Sequence, residues 1–558
     1  MKKSLFKSRL LWSFLFVAFI LSVAFAEEKT DKVDKLFARW DSTVSPGAAL
    51  AIVKNGKIIY KRGYGMANLE HNIPITITSV FRIGSTSKQF AAASIAILAR
   101  EGTISLDDDI RKYIPEMPGY QRPITVRNLV HHTSGILDYT SLLSLAGYMP
   151  DADCPTIEET IEILARQKNL NFPPGEEYSY SNSGYFLLSV IVERASGKTL
   201  NEFAQERIFK PLGMKNTHFH DDHTMTVKNR AAGYSPTKKG FRINMSNWNH
   251  VGDGAIFTTV EDSFLWDQAF YNNKLGKELM ELIQTMGVLN SGKELDYAFG
   301  LRISDYRGLK TVGHGGSWVG FRSAMIRFPE QRFSVVCLAN LSTINPSSLC
   351  QKIADIYLVD QFKEEAVKKP KRKVTPITLP KKELEEKAGN YHDEKPRMWV
   401  TVSVEDSKLK IDIRGQKFLL SPVSKTSFQA LDAPFDVSLD FESEVKGKAL
   451  KAKLTMRGRE GINLVKAPKV APLTTARLKE YAGEYYSDEL MTTYRLVMEE
   501  GVLVFKHRNA PKDPLKAMTP DKFIVGRMNI DFLRNKRNKI EGFSLSAGRA
   551  LNIKFIKK

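Results

Sequence analysis

Apolar positions are arranged in three different ways along this chain, and the changes mark its parts. Near the start, Ala48-Ala49-Leu50-Ala51-Ile52-Val53 is a short apolar run, and Lys57-Ile58-Ile59-Tyr60 returns after Asn55-Gly56. Two strands joined by Asn-Gly read as a hairpin with a type I′ turn. A polar helix from Lys32 to Trp40 precedes it. The pattern then becomes helical. Ala91 to Ala99 is almost wholly apolar and stops before Gly102, a residue that favours helix ends, so a buried helix is predicted. Ser105-Leu106-Asp107-Asp108-Asp109 predicts a short helix ending at Pro115. Thr125 to His131 is a further helix, broken at His132-Thr133-Ser134-Gly135. Thr156 to Gln167 is amphipathic, and Tyr185 to Ala195 reads as buried and ends at Gly197. Strand character returns at Lys310 to Ser317, Phe321 to Phe328 and Phe333 to Leu338, followed by a helix from about Pro346 to Phe362.

A hairpin at one end, helices between and strands at the other end predict an antiparallel sheet whose strands are split across the sequence, with helices on its faces. Beyond Lys368-Lys369-Pro370-Lys371-Arg372-Lys373 and Pro376 the character changes to short alternating strands, such as Trp399 to Val404 and Leu409 to Ile413. An internal repeat appears there. Leu384 to Tyr391 aligns with Leu478 to Tyr485, and each copy ends in a basic-apolar tail, Ile462 to Lys466 and Leu551 to Phe555. Two copies of this size suit two small antiparallel barrels or sandwiches. The expected organisation is a leader over 1–26, an α+β domain over 27–366, a linker over 367–381 and two barrel-like all-β domains over 382–467 and 473–558.

Length and composition agree with a multidomain globular protein: 558 residues, 42% hydrophobic and 26% charged. The formal net charge of +20 needs a compartment before it can be read. Lys2, Lys3, Lys7 and Arg9 precede an apolar run from Leu10 to Ala24, and Ala24-Phe25-Ala26 is an A-x-A site before polar Glu27-Glu28-Lys29. This pattern is that of a cleaved secretory leader, and it predicts a periplasmic or extracellular protein with no stable membrane span after cleavage. Export excludes nucleic acid as the partner and leaves an anionic cell-envelope polymer as a candidate one. The oligomeric state stays open. Three cysteines, Cys154, Cys337 and Cys350, form no disulfide framework, although Cys337 and Cys350 could pair. No cluster has zinc-ligand spacing, and Asp221-Asp222-His223 lacks a third ligand, so no metal and no cofactor are expected.

The candidate chemistry lies in three stretches. Ser85-Thr86-Ser87-Lys88 places a hydroxyl and an amine at i and i+3, on one helical face at the start of the buried helix. Tyr180-Ser181-Asn182 follows a Pro-Pro-Gly turn. His314-Gly315-Gly316-Ser317 lies on a strand thinned by glycine, where a ligand can approach the backbone. Acyl transfer needs a hydroxyl activated by a base, a proton donor for the leaving group and two N–H donors for the oxyanion. Ser85 can be the nucleophile, and Lys88 or Tyr180 the base and acid. The amides of Ser85 and Ser317 can form the oxyanion hole. Asn182 can bond a substrate carbonyl and orient Lys88. Gly315 and Gly316 leave room for a substrate to lie along the strand.

These motifs resemble those of the serine β-lactamase and penicillin-binding superfamily. The tyrosine motif and its Pro-Gly approach are similar to the branch containing class C β-lactamases, D,D-carboxypeptidases, D-aminopeptidases and esterases. Leu129-Val130-His131-His132-Thr133-Ser134-Gly135 and Gly252 to Thr259 are similar to further motifs of that branch. Over residues 30 to 365 the resemblance implies an acyl-enzyme at Ser85, an acid–base role shared by Lys88 and Tyr180, and substrate binding by Asn182. Where many penicillin-interacting members carry Lys-Thr-Gly, this chain has His314-Gly315-Gly316. That departure points toward D-aminopeptidase-like or esterase-like action on small peptides, amides or esters. β-Lactamase or D,D-carboxypeptidase activity is the alternative, and a wall-binding or sensor protein with little turnover is a third.

Overall fold

The computed structural model describes residues 27–363, 376–393, 398–413, 415–431, 433, 435–442, 449–456, 461–469, 473–508 and 514–558. The expected leader and residues 367–375 of the expected linker lie outside that set. Of the described residues, one compact unit takes those up to Ile136 and those from Met149 to 363. A second takes Leu137–Tyr148 and everything from 376 onward.

The first unit is built on a six-stranded antiparallel sheet. Its elements are β1 (Ala48–Lys54), β2 (Lys57–Tyr64), α1 (Lys88–Arg100), α2 (Val126–Val130), α3 (Asn182–Ser196), α4 (Val260–Asn272), β3 (Arg302–Tyr306), β4 (Leu309–Trp318), β5 (Phe321–Phe328), β6 (Phe333–Ala339) and α5 (Pro346–Tyr357). The strand order is β3-β4-β5-β6-β1-β2. The hairpin turns at Asn55 (φ 50°) and Gly56 (φ 77°), both left-handed as a type I′ turn requires. β6 pairs with β1 from Ala48↔Ala339 to Lys54↔Phe333, so the sheet joins the two ends of the unit.

One face of the sheet packs on Phe37, Leu349 and Ile353, from the N-terminal helix and α5. Phe37 stacks on Tyr64 at 4.5 Å between ring centroids. Helix α1 buries eleven of its thirteen residues, Lys88 to Leu98. Its alanines let neighbouring segments come close, and Phe90 fills the space against Trp266 of α4, 4.4 Å away. Gly102 follows α1 at φ 74°, as a helix-ending glycine should.

Local polar bonds account for the differences from the sequence expectation. Ser105 to Asp109 form turns rather than a helix, because the Asp108 carboxylate accepts the Ser105 N–H at 2.8 Å. Only a 3₁₀ turn, Ile110–Lys112, follows, capped by Asp109. The helix expected to begin at Tyr185 begins at Asn182. Cys337 and Cys350 are buried free thiols on β6 and α5.

The second unit holds two eight-stranded sheets. The first is a closed barrel whose first strand, Gly389–Asp393, pairs with its last, Ile462–Lys466. The second pairs its first strand, Gly483–Ser487, with its last, Ala550–Lys557. The repeat seen in sequence recurs as a repeated contact. The Tyr391 hydroxyl donates to the Lys387 carbonyl at 2.7 Å, and Tyr485 to the Tyr481 carbonyl at the same distance. Lys466 donates to the Glu386 carbonyl and Lys557 to the Glu480 carbonyl, so a lysine from each last strand ties down the helix before each first strand. Aliphatic and aromatic side chains fill the first barrel. Among the described residues, no helix is long and apolar enough to cross a membrane.

A buried ion pair fastens α4 beneath the sheet of the first unit. Arg327 of β5 donates to Asp267 of α4 at 2.9 Å, Ser334 of β6 donates to the same oxygen at 2.8 Å, and both charged groups are almost fully enclosed. Removing one partner strands the other charge without water. Asp267→Ala is therefore expected to cost about 3–5 kcal/mol of stability, read from the urea midpoint, while an exposed pair such as Lys277–Glu281 should cost well under about 1 kcal/mol.

Candidate active site

The site is assembled around a buried lysine. Ser85 lies in a 3₁₀ turn, Gly84–Ser87, that leads directly into α1 at Lys88. From Phe81 to Phe90, Ser85 alone is not buried. Its neighbours are held on both sides. The Ile83 N–H donates to the Ile256 carbonyl at 2.9 Å, and the Ile256 N–H donates to Ser87 Oγ at 3.0 Å. Ser323 Oγ of β5 donates to the Ile83 carbonyl at 2.6 Å and lies 2.8 Å from Thr86 Oγ1. Ser85 thus stays partly exposed between neighbours that are held in place.

Lys88 is fully enclosed. Its Nζ donates to Ser85 Oγ at 3.3 Å, to Asn182 Oδ1 at 2.9 Å and to the Asp253 carbonyl at 2.6 Å. An ammonium has three N–H donors, and these acceptors come from three separate segments. Nζ also lies 4.8 Å from the ring centroid of Tyr180 and 5.5 Å from that of Tyr185, within cation–π range. Asn182, buried in the first turn of α3, is in contact with the lysine rather than standing free as a turn residue.

Tyr180 is partly buried at the end of the loop that leads into α3. The His132-Thr133-Ser134-Gly135 turn supports that loop. Thr133 and Gly135 carbonyls accept the N–H groups of Gly175 and Asn171, at 2.8 and 2.7 Å. The Asn290 N–H donates to the Gly175 carbonyl at 2.8 Å.

The third motif lies on β4. Its partner β3 pairs with it only from Leu309 to Gly313, so among the described residues β4 has no strand partner on that edge from His314 onward. The turn that carries Ser85 approaches there. A Cβ on Gly316 would come 1.8 Å from the Ile83 carbonyl oxygen, and one on Gly84 (φ 52°) would come 2.8 Å from the Ser317 N. Only glycine at both positions permits this approach, which brings the Ser317 amide beside the turn that carries Ser85.

His314 Nδ1 lies 2.6 Å from the Gly315 carbonyl, and Nε2 lies 3.0 Å from the Tyr297 hydroxyl. A carbonyl only accepts, so Nδ1 carries the hydrogen and Nε2 accepts from Tyr297. Burial and then the Lys88 charge push the imidazole down to about 3, so His314 is neutral through the ordinary pH range. Beside it a cavity of about 260 Å³ is lined by Tyr180, Tyr297, Arg302, Thr311, Gly315 and Gln351, among others. Tyr297, the Asp253 carbonyl and Tyr185 were not evident as site groups from sequence. The glycine-rich stretch at Gly252 to Thr259 was the one available signal for Asp253.

The residues singled out from sequence therefore come together: Ser85, Asn182 and Tyr180 around Lys88, His314 beside Tyr180, and Gly316 and Ser317 against the turn that carries Ser85. Asp221 and His223 lie outside this group, His223 bonded to Asn249. Among the described residues, no group of histidine, cysteine and carboxylate side chains is arranged to hold a metal ion.

Comparison with known proteins gives consistent matches. The family model described as Beta-lactamase matches residues 33–353. Penicillin-binding protein 4* of Bacillus subtilis is 31% identical over 312 residues, 53% of this chain and 68% of that protein. A D-aminopeptidase of Brucella anthropi is 26% identical over 536 residues, 91% of this chain and 95% of that one. Among solved structures, the octameric penicillin-binding protein homologue from Pyrococcus abyssi aligns with a TM-score of 0.54 and 25% identity, covering 80% of this chain and all of that one.

Four histidines with lowered pKa values set an acid limit. Burial holds His314, His250 and His220 at about 3 and His131 at about 4, against 6.5 when unfolded. The unfolded chain therefore binds more protons below pH 6.5, and the stability these groups confer is lost as pH falls from about 6.5 toward 3. Urea midpoints should fall between pH 7 and pH 5, and His314→Gln should fall less steeply than wild type over that window.

Proposed function

The chain belongs to the β-lactamase family and is a hydrolase, and from that premise we propose that it cleaves small peptide, amide or ester substrates through an acyl-enzyme at Ser85. The observation that carries this reading is the single enclosed ammonium that donates to Ser85, Asn182 and the Asp253 carbonyl together. Ser85 Oγ attacks the substrate carbonyl carbon, and its proton passes to Tyr180 as a phenolate stabilised by the adjacent Lys88 ammonium, or to Lys88 after that ammonium has first given up a proton. The negative oxygen that forms is held by the N–H groups of Ser85 and Ser317. The C–N or C–O bond then breaks, the leaving group takes the proton, and an ester to Ser85 remains. Water, deprotonated by the same groups, releases the acid and restores the serine. Asn182 offers its amide to the substrate, and the substrate lies along the open edge of β4 at His314, Gly315 and Gly316.

Neutral His314 is the feature that selects among substrates. At this position it offers no positive charge to a substrate carboxylate, which disfavours β-lactams and D-Ala-ended peptides as best substrates. The similarity to the D-aminopeptidase over nine-tenths of this chain supports action on D-residue amides. The likeness to penicillin-binding protein 4* favours a second reading, acylation by β-lactams. The basic, apolar and Ala-x-Ala segments of residues 1–26 support export, and the charge of +20 suits an anionic envelope.

A screen over p-nitrophenyl esters, D- and L-aminoacyl p-nitroanilides and nitrocefin tests both readings. The expected result is highest kcat/KM on esters or D-aminoacyl anilides, all of it lost in Ser85→Ala along with covalent labelling by a serine-directed acylating probe. Turnover surviving in Ser85→Ala would sink the acyl-enzyme reading, and a preference for nitrocefin would select the β-lactam one. Gly316→Ala, which drives β4 off the Ser85 turn, should lower kcat by about 10²–10³, the usual effect of losing one oxyanion donor.

A further inference from the structure

His132 is enclosed completely. Its backbone is left-handed, at φ 59°, a conformation that few residues with side chains adopt. Its carbonyl accepts the N–H of Ser179 at 2.9 Å, and its Nδ1 accepts the N–H of Ser181 at 3.1 Å. One residue therefore grips the chain immediately before and immediately after Tyr180. The ring completes the arrangement, lying 4.3 Å from the Tyr180 ring centroid and 4.6 Å from that of Tyr297. Because an amide N–H can only donate, Nδ1 is the unprotonated nitrogen.

Three requirements meet at this position: tolerance of positive φ, an acceptor one atom beyond Cγ, and a flat ring beneath a phenol. Histidine meets all three. Asparagine meets the first two, since it also favours left-handed backbone and carries an oxygen where histidine carries Nδ1. Glycine meets only the first. We propose that His132 is the positioning residue for Tyr180, fixing the height and rotation of the phenol over Lys88 and Ser85 without touching substrate. The proposal rests on the reading of Tyr180 as a proton-handling group.

The test compares His132→Asn and His132→Gly, each alone and in a Tyr180→Phe background, on whichever p-nitrophenyl ester or D-aminoacyl p-nitroanilide the wild type turns over. A phenol displaced by about 1 Å should cost on the order of 100-fold in rate, so His132→Gly is expected to lose that much kcat with KM unchanged. His132→Asn should keep kcat within about threefold, because the grip on Ser181 survives. In the Tyr180→Phe background, His132→Gly should change kcat less than about twofold, since the group it positions is gone. Equal losses in the Asn and Gly variants, a loss confined to KM, or full additivity with Tyr180→Phe would each overturn the proposal. If the glycine variant does not fold, His132→Gln, which moves the acceptor by one bond, takes its place with the same expectation. Ser85→Ala separates the two levels: activity in it defeats the acyl-enzyme reading, whereas a dead Ser85→Ala beside unaffected His132 variants defeats this proposal alone.

Discussion

An ammonium group taken out of water must find acceptors or lose its charge. In this protein the requirement falls on Lys88, and the solution shapes the first unit. Its acceptors come from the turn before α1, from the first turn of α3 and from the loop after Trp248, segments far apart in sequence. Satisfying one charge thus fixes three segments against one another. The same contacts bring the hydroxyl at 85 and the amide at 182 onto one ammonium. Stability and chemistry share these bonds, so a change to any of the acceptors acts on both.

Close approach of backbone is the second constraint. Gly84 and Gly316 are where the 3₁₀ turn and the β4 edge meet, and each would clash if it carried a Cβ. Because β3 stops pairing at Gly313, the β4 edge is left open where that contact occurs. The aromatic groups close the other side. Tyr178, Tyr180, Tyr185 and Tyr297 surround His132, and burial pushes the Tyr178 hydroxyl up to about 12 and that of Tyr297 well above its ordinary range. The Tyr178 and Tyr297 phenols and the His314 imidazole pack there in neutral form, without uncompensated charge.

Much of this was legible in the chain itself, for identifiable reasons. The hairpin, the buried helix and the three C-terminal strands of the first unit follow from short-range periodicity, and Asn55-Gly56 fixed its turn. Ser85, Lys88, Tyr180 and Asn182 stood out because their spacing and neighbours are chemical signals, and the fold brings them together. Other features depend on contacts between distant residues. Nothing local to Tyr297 shows that its hydroxyl donates to His314. Asp253 contributes a carbonyl, a group every residue has. In sequence His132 stands only at the break after a helix; its grip on both sides of Tyr180 needed the fold. At Ser105 to Asp109 a helical reading failed because carboxylate-to-backbone bonds compete with helix formation.

The pairing of β1 with β6 carries a consequence for how the protein is made. Strand β1 leaves the ribosome early, while its partner from Phe333 to Ala339 emerges near the end of the unit. Until then the apolar edge of the hairpin has no mate, and the sheet cannot close around its core. Contacts of such long sequence separation slow folding and prolong exposure of sticky strand edges. A nascent chain of this design waits, unfinished, for its last strand, and during that interval it depends on whatever shields unpaired strands from one another.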